Sequence, residues 1–426
     1  SNNVNSSEKN SYGGAVYINN KNGNFTKCAF IDNYATSDTQ SSFGGAIYIS
    51  KSNCLFQACS FSNNKSNSEK DDAYGGAISA SNAPIILINS TFFYNSAITK
   101  SKRSFGGAVQ ADLCNGDFID CFFIGNNATC ILQSILTSGY VPWCFGGSVY
   151  ITQSKFDLID CSFQKNCIFG DTKKYASNGN GGAICIENSN VSITKTNFID
   201  NSLCNLGYKF DFYCNIKGGA CSITNSNISL NYCQFINNTA TLGAEMNSNY
   251  FSTPIYGGAI FYESSINSFH CKGCSFMNNS VIIPEMHDKE FGGAVYTTNA
   301  EFDGCTFINN MAYNGGDIMC IQNMHSILVI TNSEFRNTEN FDGQKKSLIY
   351  FYGNYTESCA NIFSNNKVIF DVSVVLFDGE IYQDSKIKFT FNNNCMSPLD
   401  EVCFKSKELL IYDESGSEIL TFNSAF

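Results

Sequence analysis

Short apolar runs separated by polar turns recur along this chain at a fixed internal distance. In Gly44-Gly45-Ala46-Ile47-Tyr48-Ile49 a β-rich run follows a glycine pair. A polar turn, Lys51-Ser52-Asn53, leads to Leu55-Phe56 and then to Cys59, Phe61 and Asn64. Sixteen residues separate Gly45 from Phe61. The same sixteen separate Gly14 from Phe30, Gly76 from Phe92, Gly107 from Phe123, Gly147 from Phe163, Gly182 from Phe198 and Gly219 from Phe235. Later copies drift: Gly258 to Phe276, Gly293 to Phe307, Gly316 to Phe335. From Gly14 to Gly293 the copies lie 31 to 40 residues apart. A fixed internal spacing at that period predicts one structural unit stacked on itself.

Parity within the unit predicts its bends. Cys59 and Phe61 are two apart and share a face of a strand, whereas Phe56 and Cys59 are three apart. A corner must lie between them, at the residue before the cysteine column. Ala58, Asn89, Asp120, Asp160, Gly273, Gly304 and Asn332 suit a left-handed backbone there; Lys27, Lys195 and Tyr232 suit it less. A second corner follows the phenylalanine. Three residues on stands an asparagine in nine successive copies: Asn33, Asn64, Asn95, Asn126, Asn166, Asn201, Asn238, Asn279 and Asn310. Asparagine tolerates the left-handed region, and its amide can bond the amides above and below, so these residues read as a stacked ladder. One unit then reads as three short strands joined by bends, with a variable loop before the next glycine pair.

The fold class is therefore all-β: a single right-handed parallel β-helix, a pectin-lyase-like solenoid of about 11–12 coils stacked ~4.8 Å apart. The phenylalanine column, from Phe30 to Phe335 and on to Phe363, is expected to form an interior aromatic stack. A second aromatic column precedes the glycine pairs at Tyr12, Phe43, Tyr74, Phe105, Phe145, Tyr256 and Phe291. It reads as a second stack or as an exposed platform for sugar rings.

Residues 1–12 read as an incomplete coil, 13–340 as the regular repeats, and 341–426 as degenerate coils with a C-terminal cap. That cap is expected as a hairpin of Leu409–Tyr412 and Ile419–Phe422, and no linker divides the chain. Longer loops fall at 130–144, 199–217 and 239–256. Insertions in a solenoid collect on one side, often the binding side.

Composition narrows the function classes. Charged residues are 15% of the chain and the formal net charge is −11, against nucleic-acid binding, which needs clustered Lys and Arg. No apolar run reaches the ~18 residues of a membrane-spanning helix. The chain begins at Ser1 without an initiator Met or leader, as a piece of a longer protein whose membrane anchor is expected elsewhere. Ten Asn-x-Ser/Thr sequons occur, including Asn24, Asn64, Asn89, Asn127, Asn227 and Asn278.

The 21 cysteines are an odd number, so at least one is unpaired within the chain. The column Cys28, Cys59, Cys121, Cys161, Cys233, Cys274, Cys305 faces inward by parity and is expected to act as small hydrophobes. Cys130 with Cys144, Cys204 with Cys214, and Cys395 with Cys403 lie on loops and are expected as disulfides. Cys271-x-x-Cys274 beside His270 invites a metal reading, but no second Cys-x-x-Cys exists, and no metal or cofactor is expected. Asp117 and Asp120 align with Asp157 and Asp160 one unit later. Four stacked carboxylates would suit glycosidase chemistry or a Ca²⁺ site. Asp120 and Asp160 also fall where turn residues are expected anyway.

The alternation of Gly-Gly-Ala-Ile/Val with Phe-x-x-Asn resembles the repeat of the chlamydial polymorphic outer-membrane proteins. Gly13-Gly14-Ala15-Val16 with Phe30-Ile31-Asp32-Asn33 is one match; Gly257-Gly258-Ala259-Ile260 with Phe276-Met277-Asn278-Asn279 is another. The similarity covers about residues 12–340. It implies a surface-exposed right-handed β-helix acting in adhesion. Similar repeats occur in surface proteins of some protist parasites, and the cysteines and sequons here fit that version. The expectation is a non-enzymatic, extracellular, adhesin-like segment that presents loops to a host-cell protein, matrix or glycan. Two other readings stand beside it: a polysaccharide lyase or glycoside hydrolase using the four aspartates, and a purely structural stalk.

Overall fold

A computed structural model describes residues 1–132, 142–172, 178–205, 215–242, 254–265, 267, 269–283, 290–312, 316–322 and 327–336. Beyond these it describes strands at 349–353, 360–364, 367–369, 375–378, 388–392, 408–412 and 418–423. Among the described residues there is no helix. The chain is an all-β parallel solenoid.

Each regular coil contributes not three strands but five, one to each of five sheets. One coil runs Tyr34–Ser37 (sheet A), Ser42–Phe43 (sheet B), Ile47–Ser50 (sheet C), Cys54–Gln57 (sheet D) and Ser60–Ser62 (sheet E). The sheets hold 9, 9, 14, 12 and 11 strands in that order. Every pairing is parallel except the last, where Glu408–Tyr412 and Glu418–Asn423 pair antiparallel at the end of sheet C. Residues 3–6 and 11–12 already belong to sheets A and B.

Sheets A and B occupy what reads in the sequence as variable loop. Their strands, such as Lys65-Ser66-Asn67-Ser68, carry no apolar alternation. The inward positions of the early coils are instead small: Ser37, Ser42, Ser66, Ser68 and Ser104 with Ala35, Ala73, Ala97 and Thr99. Ser66 Oγ donates to the Ser42 carbonyl at 2.9 Å, and Ser68 Oγ to that of Gln40 at 2.7 Å. From Ile168 onward these positions take larger apolar residues, and Ala128, Ile168, Leu203, Ile216, Ala240 and Ile255 belong to a small second core between A and B. The main core lies within sheets C, D and E.

The glycine pair forms the waist between the two cores. Its first member is left-handed in every described coil, from φ 57° at Gly13 to 75° at Gly181. Its second member has no room for a side chain. A Cβ on Gly76 would stand 2.1 Å from the Gly107 carbonyl oxygen and 2.4 Å from the Ser96 nitrogen at the start of sheet A. Two backbone segments of one coil thus pass in contact here.

The corner before the cysteine column is left-handed in all ten coils, including Lys27 (φ 53°), Lys195 (φ 50°) and Tyr232 (φ 56°). Tyr232 lays its ring over Gly273, the equivalent residue one coil on, and Tyr94 does the same over Gly125. At the second corner the left-handed residue is not the ladder asparagine but the one before it: Asp32, Asn63, Tyr94, Gly125 and their equivalents.

Phe30, Phe61, Phe92, Phe123, Phe163, Phe198, Phe235, Phe276, Phe307 and Phe335 form one continuous file. Its centroid spacings are 4.6 to 5.1 Å and its planes lie within 8° of parallel. Such spacings exceed ring thickness, so the rings are slipped into the favoured offset stack. Phe363 departs from the expected column. It pairs with Ile330 and Phe391 in sheet D, and Val368 follows Phe335 in sheet E. The Phe-x-x-Asn pattern at 363–366 matches by chance in the wrong register.

Gly76→Ala forces backbone apart and is expected to cost about 3 kcal/mol or more. Gly304 is also left-handed, but a Cβ there would meet nothing within 4 Å, so Gly304→Asn is expected to cost under about 1 kcal/mol. Urea melts of the two variants check this; equal losses would refute the waist.

Candidate functional site

The nine predicted asparagines stand in one buried file. The Oδ1 of each accepts both the backbone N–H and the Nδ2–H of the asparagine one coil before. For Asn64 and Asn95 these bonds are 3.0 and 2.9 Å. The Nδ2 also donates backward to the preceding coil's phenylalanine carbonyl, as from Asn95 to Phe61 at 3.0 Å. Each amide therefore ties three coils. The amide orientation is forced, because only an oxygen can meet a backbone N–H. Along the chain the sequence step between rungs varies as 31, 40, 35, 37 and 41 residues while the bonds stay at 2.8 to 3.0 Å.

Two members of this file are not signalled by Phe-x-x-Asn. Asn2 donates from its backbone and side chain to Asn33 Oδ1 at 3.1 and 3.2 Å. At the other end Asn310 Nδ2 donates to the buried carboxylate of Asp317 at 2.9 Å. Asp317 stands where other coils have the alanine of Gly-Gly-Ala, and that substitution was the available clue.

Hydroxyl and thiol ladders serve the other corners. Between sheets D and E, Cys59 N–H donates to Ser90 Oγ at 3.1 Å, Cys161 N–H to Thr196 Oγ1 at 3.2 Å and Cys305 N–H to Ser333 Oγ at 3.0 Å. Between C and D, Ser154 N–H donates to Ser189 Oγ at 3.0 Å, and Ser189 N–H to Ser226 Oγ at 3.0 Å.

Cys130 and Cys144 are joined in a disulfide across the A/B lobe. Cys204 is a half-buried free thiol, and its expected partner Cys214 lies outside the described residues, as do Cys395 and Cys403. The inward column is free and buried from Cys59 to Cys305. Burial pushes the Cys114 thiol up to about 11, and burial with the nearby Cys204 does the same for Cys167.

Asp117 and Asp157 are register partners on the outer face of sheet D, half-buried. Asp120 and Asp160 are exposed and left-handed, at φ 52° each. The next coil supplies Ser192 and Lys195 at the matching positions. The corner pair thus fills a turn position that other coils fill with Lys, Ala, Asn or Gly. Asp117 and Asp157 share one environment, on the sheet, and Asp120 and Asp160 another, at the corner. His270 and Cys271 point to opposite faces: His270 is exposed and meets Glu301 at 2.8 Å, while Cys271 is buried 3.7 Å from the Cys305 sulfur. Among the described residues no group of three or more His, Cys, Asp or Glu is arranged to hold a metal.

The aromatic column before the glycine pairs stacks along the outer, half-buried side of sheet B, with Tyr12, Phe43, Tyr74, Phe105 and Phe145 spaced 4.6 to 5.0 Å. Its rings cover one another's faces, so they offer edges rather than platforms to a sugar. The file breaks at Asn180 and Lys217, where Lys217 Nζ lies 4.3 Å from the Phe261 centroid.

Length variation has one address. Sheet A leads to sheet B through 38–41, 69–72 and 100–102 in the early coils, but through 133–142, 173–177, 206–215, 243–254 and 283–289 in the next five. One smaller insertion, 264–268, falls between C and D. Five successive connections of unequal length and sequence therefore leave the tip of the A/B lobe side by side.

Fold and ladders together define a repeat-built parallel β-solenoid. Within that class, residues 58–81 match the Chlamydia polymorphic membrane protein repeat. The matched segment contains Phe61-Ser62-Asn63-Asn64 and Gly75-Gly76-Ala77-Ile78, that is, one ladder rung and one waist. No curated protein and no solved structure matches the chain. No helix among the described residues is long and apolar enough to cross a membrane.

Asn95→Ala removes two buried donors and the acceptor of Asn64, and is expected to cost about 3 kcal/mol. Asn95→Asp keeps the acceptor but turns an oxygen toward the Phe61 carbonyl and Asn126 Oδ1. Its folded pKa is then raised above the unfolded value, so the penalty is smallest below about pH 4 and grows as pH rises. Melts from pH 3 to 7 check the slope; a penalty that shrinks with rising pH would contradict the ladder. For the thiols, slow reaction of native protein with a disulfide reagent at pH 8 and fast reaction in denaturant are expected. Rapid native titration of the buried column would overturn its place in the core.

Proposed function

We propose that this chain is a non-enzymatic, cell-surface rod of the adhesin type that binds a host-cell protein, matrix component or glycan through the connections at the A/B tip. The observation that carries the reading is the confinement of nearly all length variation to that one edge. The buried ladder, waist and phenylalanine file repeat from coil to coil, whereas connection length differs between coils mainly at the tip. The match at residues 58–81 supports surface placement, since the repeat is one of membrane proteins. Adjacent coils are ~4.8 Å apart, so the strand ends from which neighbouring connections leave lie side by side.

Replacing 206–215 and 243–254 by the four-residue turn of 69–72 tests it. The variant is expected to keep its melting temperature within a few degrees while saturable binding to intact cells or matrix proteins falls at least tenfold. Unchanged binding, or no saturable binding by the parent chain, defeats the proposal.

A further inference from the structure

We infer that the wall formed by sheet D and its corner with sheet E is an N-glycosylated face, modified at Asn24, Asn89, Asn190 and Asn227. The inference rests on the surface-display reading, because the modification needs passage through a eukaryotic secretory route. The sequons alone do not sort themselves; the fold does. Asn24 lies in the sheet D strand Gly23–Thr26, Asn190 in Asn190–Thr194 and Asn227 in Asn227–Asn231, and all three are exposed. Asn190 and Asn227 are direct register partners on consecutive coils. Asn89 is exposed at the D–E corner, at a left-handed backbone position (φ 47°). None of the four side chains donates or accepts in a ladder.

Asn64 makes the opposite case with the same motif. It is fully buried, and its Nδ2 bonds the Phe30 carbonyl at 2.9 Å and Asn95 Oδ1 at 2.9 Å. A glycan on that nitrogen would remove one donor hydrogen and place a sugar inside the core, so a chain modified there does not fold. Asn127 is half-buried, and its Oδ1 accepts from Thr129 Oγ1, the hydroxyl of its own sequon, at 3.2 Å. Asn237 and Asn278 sit off this face at the E–A corner, and their sequon hydroxyls, Thr239 Oγ1 and Ser280 Oγ, bond each other at 3.3 Å. Among the described residues no sequon lies on a strand of sheet B or C. Sheet D stands across the main core from the A/B lobe, so glycans on it leave the insertion edge uncovered.

The transfer is chemically ordinary. A bond forms between the asparagine Nδ2 and C1 of the sugar, the C1–oxygen bond to a lipid pyrophosphate donor breaks, and one Nδ2 proton leaves. The Ser or Thr two residues on is required, and Thr26, Thr91, Ser192 and Ser229 supply it.

To test this, the full chain is secreted from a eukaryotic cell line behind a cleavable leader, and N-glycans are released enzymatically in heavy-oxygen water. Peptide mass spectrometry is expected to find the label at Asn24, Asn89, Asn190 and Asn227 and not at Asn64. Ser192→Ala is expected to remove the label at Asn190 alone, and Ser192→Thr to restore it. No label at any of the four, or label at Asn64 in folded secreted protein, overturns the inference. Because secretion is imposed, that failure is distinct from failure of surface display, which antibody labelling of intact source cells reads separately.

Discussion

A left-handed corner leaves one backbone N–H without a sheet partner, and this chain is built around satisfying it. At the D–E and E–A corners of the regular coils, and at the C–D corner from Asn20 to Asn225, a residue at φ near 50° is followed by one whose N–H points along the rod axis toward the next coil. Its acceptor is a side chain at the equivalent position there: an asparagine amide between E and A, a Cys, Ser or Thr between D and E, and between C and D a Ser, Thr or Cys in every such coil but the one that holds Ala83. A buried unpaired N–H costs ~1–3 kcal/mol, so each omitted acceptor is expensive. The fourth corner, between B and C, has no side chain to use. There Gly14 N–H shares the Gly44 and Gly45 carbonyls at 3.3 and 3.1 Å, and glycine is required because nothing larger fits.

That constraint explains which columns are invariant and which are not. The left-handed residue itself carries no bond through its side chain in the ladder and points outward, so Lys, Asp, Tyr, Ala and Gly all occupy it. Where its side chain is a tyrosine, a glycine above supplies room for the ring. The residue after it is drawn from a short set of acceptors. The inward residue two further on is aromatic in sheet E because a ring spans the core and stacks at the coil spacing.

The same logic marks what the sequence disclosed. Phe-x-x-Asn and Gly-Gly carry shape and hydrogen bonding at once, so they survive in every regular coil and are legible as a pattern. Asp120 and Asp160 stand at left-handed corners, as their place before the cysteine column indicates. Sheets A and B were hidden because Ser66, Ser68 and Ser42 fill their interior with hydroxyls, and periodicity of apolar residues is the signal a strand usually gives. Asn2 stands too near Ser1 for the motif to be read, and Phe363 fits the motif while its strand belongs to sheet D rather than sheet E. The pairing of Cys130 with Cys144 was legible because both flank one long connection.

The ladder also has a direction. Every Nδ2 hands its hydrogen toward the C-terminal coils, so ten amide dipoles align from Asn2 to Asn310, and their positive end would face an unmatched carbonyl or a void. Asp317 meets it instead, its Oδ1 accepting from Asn310 Nδ2 at 2.9 Å. Beyond that point the sequence holds no further glycine pair. A unidirectional chain of bonds can accept any insertion between its rungs but cannot lose a rung without a terminator. Loop variation is therefore free at the A/B tip while the file is intact, and the asparagine file ends at Asp317 while sheets C, D and E continue beyond it.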